Sequence, residues 1–421
     1  MPHRLALLLL ASAALVAQAA PASAQSLDTV IAEALARSPA LEAARASADS
    51  ARAGVDQARA ERSPLAALDG QIGVGRIDPQ GFFGLAADDV VPRSARVTVE
   101  LPLFTGGRTA AAIRQATGGA DAADQQLRMT AIELRVGVVQ AYTQAVAARQ
   151  LIARYATLNR ALDEALRQAR LKFKVGEGTS TETAQAEARR AESEAGLARA
   201  QGQYAGAMAH LAALAGHPVM IDADLPAAPV LPPSREAAVA LAMKDNPMLL
   251  AAARQVDAAQ AKVQGVRAER LPSIGAYAEA ASVRDQFFPG YKADSASIGL
   301  RGRWTLFSGG RIGAKAQGAA ADLRAAQADA ANARLTVEQQ AIVAFEAVTA
   351  ARAVLLASDA RLGASEAALR GTALEVKAGA KPLLAQLDAE REAIDAQAAR
   401  AAASGQLLVA QHRLRAIAGM E

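Results

Sequence analysis

The sequence predicts an α+β membrane protein made by internal duplication, whose four strands per chain close a β-barrel only when several copies join. Three observations carry that prediction. A series of short motifs occurs twice in the same order, about half a chain apart. Each copy contains a strand with one wholly apolar face. Each strand is followed by a helical stretch far longer than a globular domain needs.

The repeat is read from its marks. Gln57-Ala58-Arg59-Ala60-Glu61-Arg62-Ser63-Pro64 recurs as Gly265-Val266-Arg267-Ala268-Glu269-Arg270-Leu271-Pro272, and Ser38-Pro39 recurs as Asn246-Pro247, both at an offset of 208 residues. Leu103-Phe104-Thr105-Gly106-Gly107-Arg108 recurs as Leu306-Phe307-Ser308-Gly309-Gly310-Arg311 at an offset of 203, which holds to the end of the chain. The second copy is therefore five residues shorter, and the deletion falls between those two sets of marks. The repeats span 25–216 and 235–421. Between them, 217–234 holds five prolines and reads as an irregular linker.

At the start, Met1 to Arg4 is a basic n-region, Leu5 to Val16 an apolar h-region, and Ala22-Ser23-Ala24 a small-x-small site before Gln25. Residues 1–24 are expected to be an export signal. After Val16 no apolar run long enough for a transmembrane helix is read. An exported chain without one is expected to be soluble, or to span the outer membrane as a barrel, the other structure that satisfies every backbone group in lipid.

Within each copy a helix rich in Ala, Glu, Gln and Arg comes first, Pro39 to Arg62 in the first copy. Strands follow at about 65–104 and about 273–307. Val97, Val99, Leu101 and Leu103 share one face, opposite Thr98 and Glu100. In the second copy Ile298, Leu300, Trp304 and Leu306 oppose Arg301, Arg303 and Thr305. Only 3% of the chain is aromatic, yet nine of its fourteen aromatic residues fall in the two strand segments. Of these, Phe82, Phe83, Phe104, Phe287, Phe288, Tyr291, Trp304 and Phe307 lie near strand ends or in the connecting loops, where a membrane barrel carries its aromatic girdle.

Long helices are expected at about 108–173 and 311–376, each on the order of 100 Å. A kink is anticipated at Gly118-Gly119. Leu151, Tyr155, Leu158, Leu162, Ala165 and Ala169 follow a heptad, and Leu355, Leu362, Leu369 and Val376 fall seven apart, so coiled-coil packing is predicted. Each long helix ends at a glycine turn, and return helices follow at about 181–214 and 382–417. Four strands cannot close, because open edges cannot sit in lipid. Three chains supply twelve, so a homotrimer is the economical solution.

The duplicated halves, the Leu-Phe-Thr-Gly-Gly-Arg and Leu-Phe-Ser-Gly-Gly-Arg marks, the turn Phe173-Lys174-Val175-Gly176 and Leu387-Asp388-Ala389 together resemble the TolC-type outer-membrane efflux proteins, over nearly all of the chain after the signal. The resemblance implies a trimeric twelve-stranded barrel in the outer membrane, continued by a helical coiled-coil tunnel across the periplasm. It implies a passive exit channel, closed at its periplasmic tip and opened by a periplasmic adaptor (membrane-fusion) protein and an inner-membrane pump of the resistance-nodulation-division or ABC type. Drug or metal efflux is the leading cargo, and type I protein secretion the alternative.

The resemblance also assigns a mouth around the two turns, at Gly176, Thr181, Glu182, Gly379, Lys381 and Asp388. Thr181 and Glu182 would tie the closed mouth, Lys381 would pair with the first turn, and Asp388 would form a ring of three acids that attract cations. Val376 and Ala385 stand where the family has a tying tyrosine and a second ring acid.

Other functions find little support. Cys is absent, which excludes disulfides, thiolate metal sites, a cysteine nucleophile and a lipidated cysteine. There is no Walker-type loop, no Gly-x-Gly-x-x-Gly and no metal-binding spacing, so neither an enzyme nor a cofactor is expected. The net charge is +4 without a basic block, which gives nucleic acid no footprint. A periplasmic coiled-coil adaptor would show one helical hairpin, not two with strand pairs.

Overall fold

The computed structural model describes residues 25–78, 84, 86–222 and 224–420. The expected signal at 1–24, and Phe82 and Phe83 of the expected girdle, lie outside the described residues.

The first copy runs α1 (Leu27–Arg37), α2 (Pro39–Ala60), β1 (Leu65–Ile72), β2 (Gly75–Ile77), β3 (Asp88–Val90), β4 (Arg93–Phe104), α3 (Arg108–Lys174) and α4 (Ser180–Ala215). The second runs α5 (Arg235–Asp245), α6 (Pro247–Ala268), β5 (Ser273–Arg284), β6 (Lys292–Arg303), α7 (Arg311–Lys377) and α8 (Leu383–Ile417). The duplication is visible element by element. α1 and α5 each have 11 residues, α2 and α6 each 22, α3 and α7 each 67. The five-residue difference has a place: the first copy inserts the small β2–β3 hairpin between its strands, and the second turns directly from β5 into β6.

The short helices α1 and α5 are not distinguished in the sequence from what surrounds them. Each starts on a serine cap, where Ser26 Oγ accepts from Thr29 N and Ser234 Oγ accepts from Ala237 N. Each stops two residues before a proline, which disfavours the helical region in the intervening cap residue, Ser38 or Asn246. The glycine pair of the repeat mark also acquires a reason. Gly106 and Gly107 have φ of 63° and 89°, and Gly309 and Gly310 of 56° and 82°. The chain leaves the strand and enters the long helix through two successive left-handed residues, which only glycine adopts cheaply.

The coordinates divide into two compact units. One holds the described residues up to Pro39, Ile132–Leu231 and Ala344–Ala416. Its core includes Leu27, Val30, Val138, Val139, Tyr142, Val146, Leu162, Leu211 and Leu414, all essentially removed from solvent. Burying each such side chain stabilises by about 1.5–3 kcal/mol. The Tyr142 hydroxyl donates to Gln25 O at 3.2 Å and accepts from Asp222 N at 3.2 Å, which ties the linker to α3. Gln25 also forms a parallel bridge with Ile221.

The other unit holds Ala40–Ala131, Pro232–Val343 and the residues after Ile417. It contains the antiparallel sheet in the order β1-β4-β5-β6 and a small cluster of Ala242, Val337 and Ala341.

Helix α3 runs through Gly118-Gly119 without interruption, and Gly118 serves close approach, since a β-carbon there would lie 2.9 Å from the Arg254 carbonyl oxygen on α6. Three sequence expectations are corrected. The first repeated helix ends at Ala60, not Arg62. Strand β6 stops at Arg303, not at 307. Its partner β5 begins only after Pro272, which has no N–H to extend the ladder, and the Trp304 indole N–H donates to Arg270 O at 3.1 Å instead. Finally, α7 does contain a stretch long and apolar enough to cross a membrane, of mean hydropathy 1.7, although only 17% of it is buried within the chain. Glu346 and Arg352 interrupt the apolar residues of α7, so no uninterrupted apolar run stands out in the sequence.

Candidate functional site

The sheet presents two chemically opposite faces. Residues directly paired across antiparallel strands project to the same side. One side stacks the rows Leu68–Val97–Ala280–Ala296 and Ala66–Val99–Ala278–Ile298, followed by Leu101–Ala276–Leu300. The other stacks Asp69–Arg96–Ala281–Ser295, Ala67–Thr98–Glu279–Ser297 and Leu65–Glu100–Tyr277–Gly299. On this polar side Arg301 Nη1 donates to Glu100 Oε1 at 2.6 Å and lies 4.7 Å from the centre of the Tyr277 ring, while Arg96 sits 3.5 Å from Glu279. Ile298 is 86% exposed and Leu300 71%, in a position that would be untenable in water for a whole face. Among the described residues both edges, β1 and β6, are unpaired.

The aromatic candidates lie at both ends of this sheet. Phe104, Trp304 and Phe307 stand exposed where the strands meet the helices. Phe287, Phe288 and Tyr291 occupy the β5–β6 loop, where each phenylalanine ring meets Tyr291 edge-on at 5.1 Å.

The helical hairpin turns carry the other candidates. Gly176 (φ 79°) and Gly379 (φ 74°) are the left-handed residues that end α3 and α7. Glu182 completes a capping box: Thr179 Oγ1 accepts from Glu182 N at 3.1 Å, and Glu182 Oε2 accepts from Thr179 N at 3.2 Å. Thr181 is exposed in the first turn of α4. Lys381 does not reach the first turn; its Nζ pairs with Glu375 Oε2 at 2.7 Å within its own hairpin. The acceptor is six residues back along the same turn, so the short path wins.

Asp388 joins the two copies. It accepts from Arg189 of α4 at 2.9 Å, and one helical turn along Arg391 of α8 reaches Glu192 of α4 at 3.2 Å. Beneath these pairs Leu158, Leu162 and Ala165 of α3 pack against Leu387 and Ile394 of α8. The Arg189 hydrogen bond holds the Glu192 carboxyl below the usual glutamate range, and Arg391 adds to it. Burial instead pushes the carboxyl of Glu390 up. Sequence reasoning missed Arg189, Glu192 and Arg391. Their i, i+3 spacing was visible, but not which helices would meet.

Comparison with known proteins agrees with this architecture. The profile described as "Outer membrane efflux protein" matches residues 30–217 and 238–420, one stretch for each copy. The chain belongs to the outer membrane efflux protein family. It is 30% identical over 316 residues to the outer membrane efflux protein BepC of Brucella suis, covering 74% of this chain and 69% of that protein. It is 27% identical over 308 residues to the alkaline protease secretion protein AprF of Pseudomonas aeruginosa, covering 70% of this chain and 63% of AprF. The crystal structure of the outer membrane protein VceC of Vibrio cholerae superposes with a TM-score of 0.78 at 20% identity, over 94% of this chain and 97% of that one. As an outer membrane efflux protein the chain is a transport protein, not an enzyme. It resides in the outer membrane of a Gram-negative cell and extends into the periplasm.

Proposed function

We propose that three copies of this chain close a twelve-stranded barrel and a helical tunnel, forming the exit channel of a tripartite export system that carries small molecules. The observation that carries this reading is the four-stranded sheet with two unpaired edges and one apolar face. Such a sheet is stable in lipid only when its edges are paired by neighbouring copies. The exposed Val343, Val354 and Leu356 of α7 supply apolar surface for the same neighbours. A heat-modifiable oligomer in the outer-membrane fraction, forming conducting channels in a planar bilayer, is the expected result. A monomer released with the periplasm would overturn it.

The tip around Gly176, Thr181, Glu182, Gly379, Lys381 and Asp388 is the docking surface for a periplasmic adaptor and inner-membrane pump in this reading. The resting tip is held by the pairs Arg189–Asp388 and Glu192–Arg391, because moving the two hairpins apart must break both. Arg189→Glu is expected to raise single-channel conductance, whereas unchanged conductance would remove the lock. Asp388→Asn is expected to weaken block by multivalent cations, as the loss of a ring of acids would.

Similarity to AprF favours a second reading, protein export by a type I system. Deleting the gene separates the two. Efflux predicts sensitivity to dyes, detergents or antibiotics with the secreted proteins unchanged; protein export predicts the reverse.

A further inference from the structure

Two rows of the apolar face break its pattern: Gly70–Ala95–Ser282–Asp294, which holds one acid, and the row beyond it. At the loop end of the sheet the directly paired residues are Ile72–Arg93–Arg284–Lys292. By strand alternation they share the face of Leu68, Val97, Ala280 and Ala296, four residues along each strand. Three cations therefore stand side by side on three adjacent strands, on the side that the proposed barrel turns to lipid. Like charges directly opposite one another destabilise a strand pair. Arg284 has an answer within the chain, a bidentate pair with Asp294 at 2.9 and 3.1 Å. Arg93 and Lys292 have no acidic partner among the described residues, and both are exposed.

The setting of this row narrows what could neutralise it. On one side lies the Gly70–Ala95–Ser282–Asp294 row, whose acid is taken up by Arg284, and past it the apolar rows that fill the hydrocarbon. On the other lies the Phe287, Phe288 and Tyr291 cluster of the loop, amphipathic in the way of residues that sit at headgroup depth. Phe287 is 64% exposed. The loop itself is pinned: Gly290 N donates to Asp285 Oδ1 at 2.8 Å, Asp285 N donates to Tyr291 O at 2.8 Å, and Asp285 takes a φ of 52° to do so. The strand ends that join the helices, and with them the periplasm, are at the opposite edge of the sheet, so this row lies in the outer leaflet.

We infer that Arg93 and Lys292, flanked by Arg284, bind the phosphate groups of a phosphorylated glycolipid in the outer leaflet. Guanidinium and ammonium groups meet phosphate through charge-assisted hydrogen bonds, which strengthen at the border of a low-dielectric layer. The inference rests on the barrel reading above.

The test uses the full chain purified in detergent and native mass spectrometry. The probes are bisphosphorylated lipid A, the same lipid after dephosphorylation, and inorganic phosphate. The wild-type protein is expected to retain bisphosphorylated lipid A about tenfold better than its dephosphorylated form. The double variant Arg93→Gln with Lys292→Gln is expected to lose that preference. The exchange Arg93→Lys with Lys292→Arg keeps it, as does Arg76→Gln in the β2–β3 hairpin. Equal retention of the two lipids by the wild type, equal preference in the double-glutamine variant, or displacement of the lipid by millimolar inorganic phosphate would each overturn the inference. Heat-modifiability of every protein is read in parallel. A wild type that lacks it breaks the barrel reading; one that has it but shows no lipid preference breaks this inference alone.

Discussion

Helices α3 and α7 occupy the same place in the two copies and have the same length, yet they meet very different surroundings. In α3, Val138, Val139, Ala141, Tyr142, Ala145 and Val146 are all buried. At the repeat offset of 203, Ile342 and Thr349 of α7 are exposed, Phe345 is only half-buried, and burial is confined to Ala341, Ala344 and Val348. The difference lies in what the same chain lays against each helix. The linker and the residues around Gln25 cover α3, through the Tyr142 hydroxyl and the Arg149 to Ile221 carbonyl hydrogen bond at 2.9 Å. Along the compared stretch of α7 only one face is covered by its own chain. Duplication supplied two equal helices; the unequal cover makes one a core element of the chain and leaves the other with an exposed apolar side.

The sharpest way to break this contrast is to truncate equivalent aromatics. Tyr142→Ala is expected to cost about 3–5 kcal/mol in urea unfolding followed by the helical signal. Phe345→Ala is expected to cost less than about 2 kcal/mol. Equal losses would mean that the two helices are equally buried in the assembled protein before unfolding begins.

A smaller effect on stability, but a larger one on assembly, is expected at the exposed side of α7. Val343→Glu or Leu356→Glu puts a charge where the chain offers no partner. The oligomer band is expected to disappear from unheated gels while circular dichroism stays helical. Retention of the oligomer would show that this side faces water.

The smallest effect concerns Glu192, between Arg189 and Arg391. Its carboxyl titrates below the ordinary glutamate range, so its pairing stabilises the folded state at neutral pH. That contribution is lost as the pH falls from the ordinary range through its depressed value. The melting temperatures of wild type and Glu192→Gln are therefore expected to differ at neutral pH and to converge in acid. A constant difference would assign the effect to packing.

How much of this was written in the sequence follows from the range of each interaction. The duplication, the apolar and polar strand faces and the glycine turns depend on neighbours in the chain, and the residues at 93–104 and 273–303 state them directly. Helices α1 and α5 were missed because a serine cap and a proline stop are each common, and only their joint repetition marks a separate helix. The β2–β3 hairpin has three-residue strands, too short for a period to show. The pairing of Lys381 with Glu375 rather than with the first turn, and of Asp388 with Arg189, depends on which helices meet. No local pattern encodes that. The basic row at Arg93, Arg284 and Lys292 needed the strand register, since the three residues belong to different strands and are scattered over 200 positions.

The unpaired edges of β1 and β6 also govern how the protein must be made. Eight residues of backbone on one side and twelve on the other offer open hydrogen-bonding groups to any extended chain. In the trimeric barrel proposed above, productive closure needs three molecules and a bilayer at once, while a wrong edge-to-edge encounter needs only two molecules in water. Crowding newly exported chains therefore favours the dead end, and refolding yield should rise on dilution into lipid and fall with protein concentration, a kinetic cost set by the sheet's own geometry.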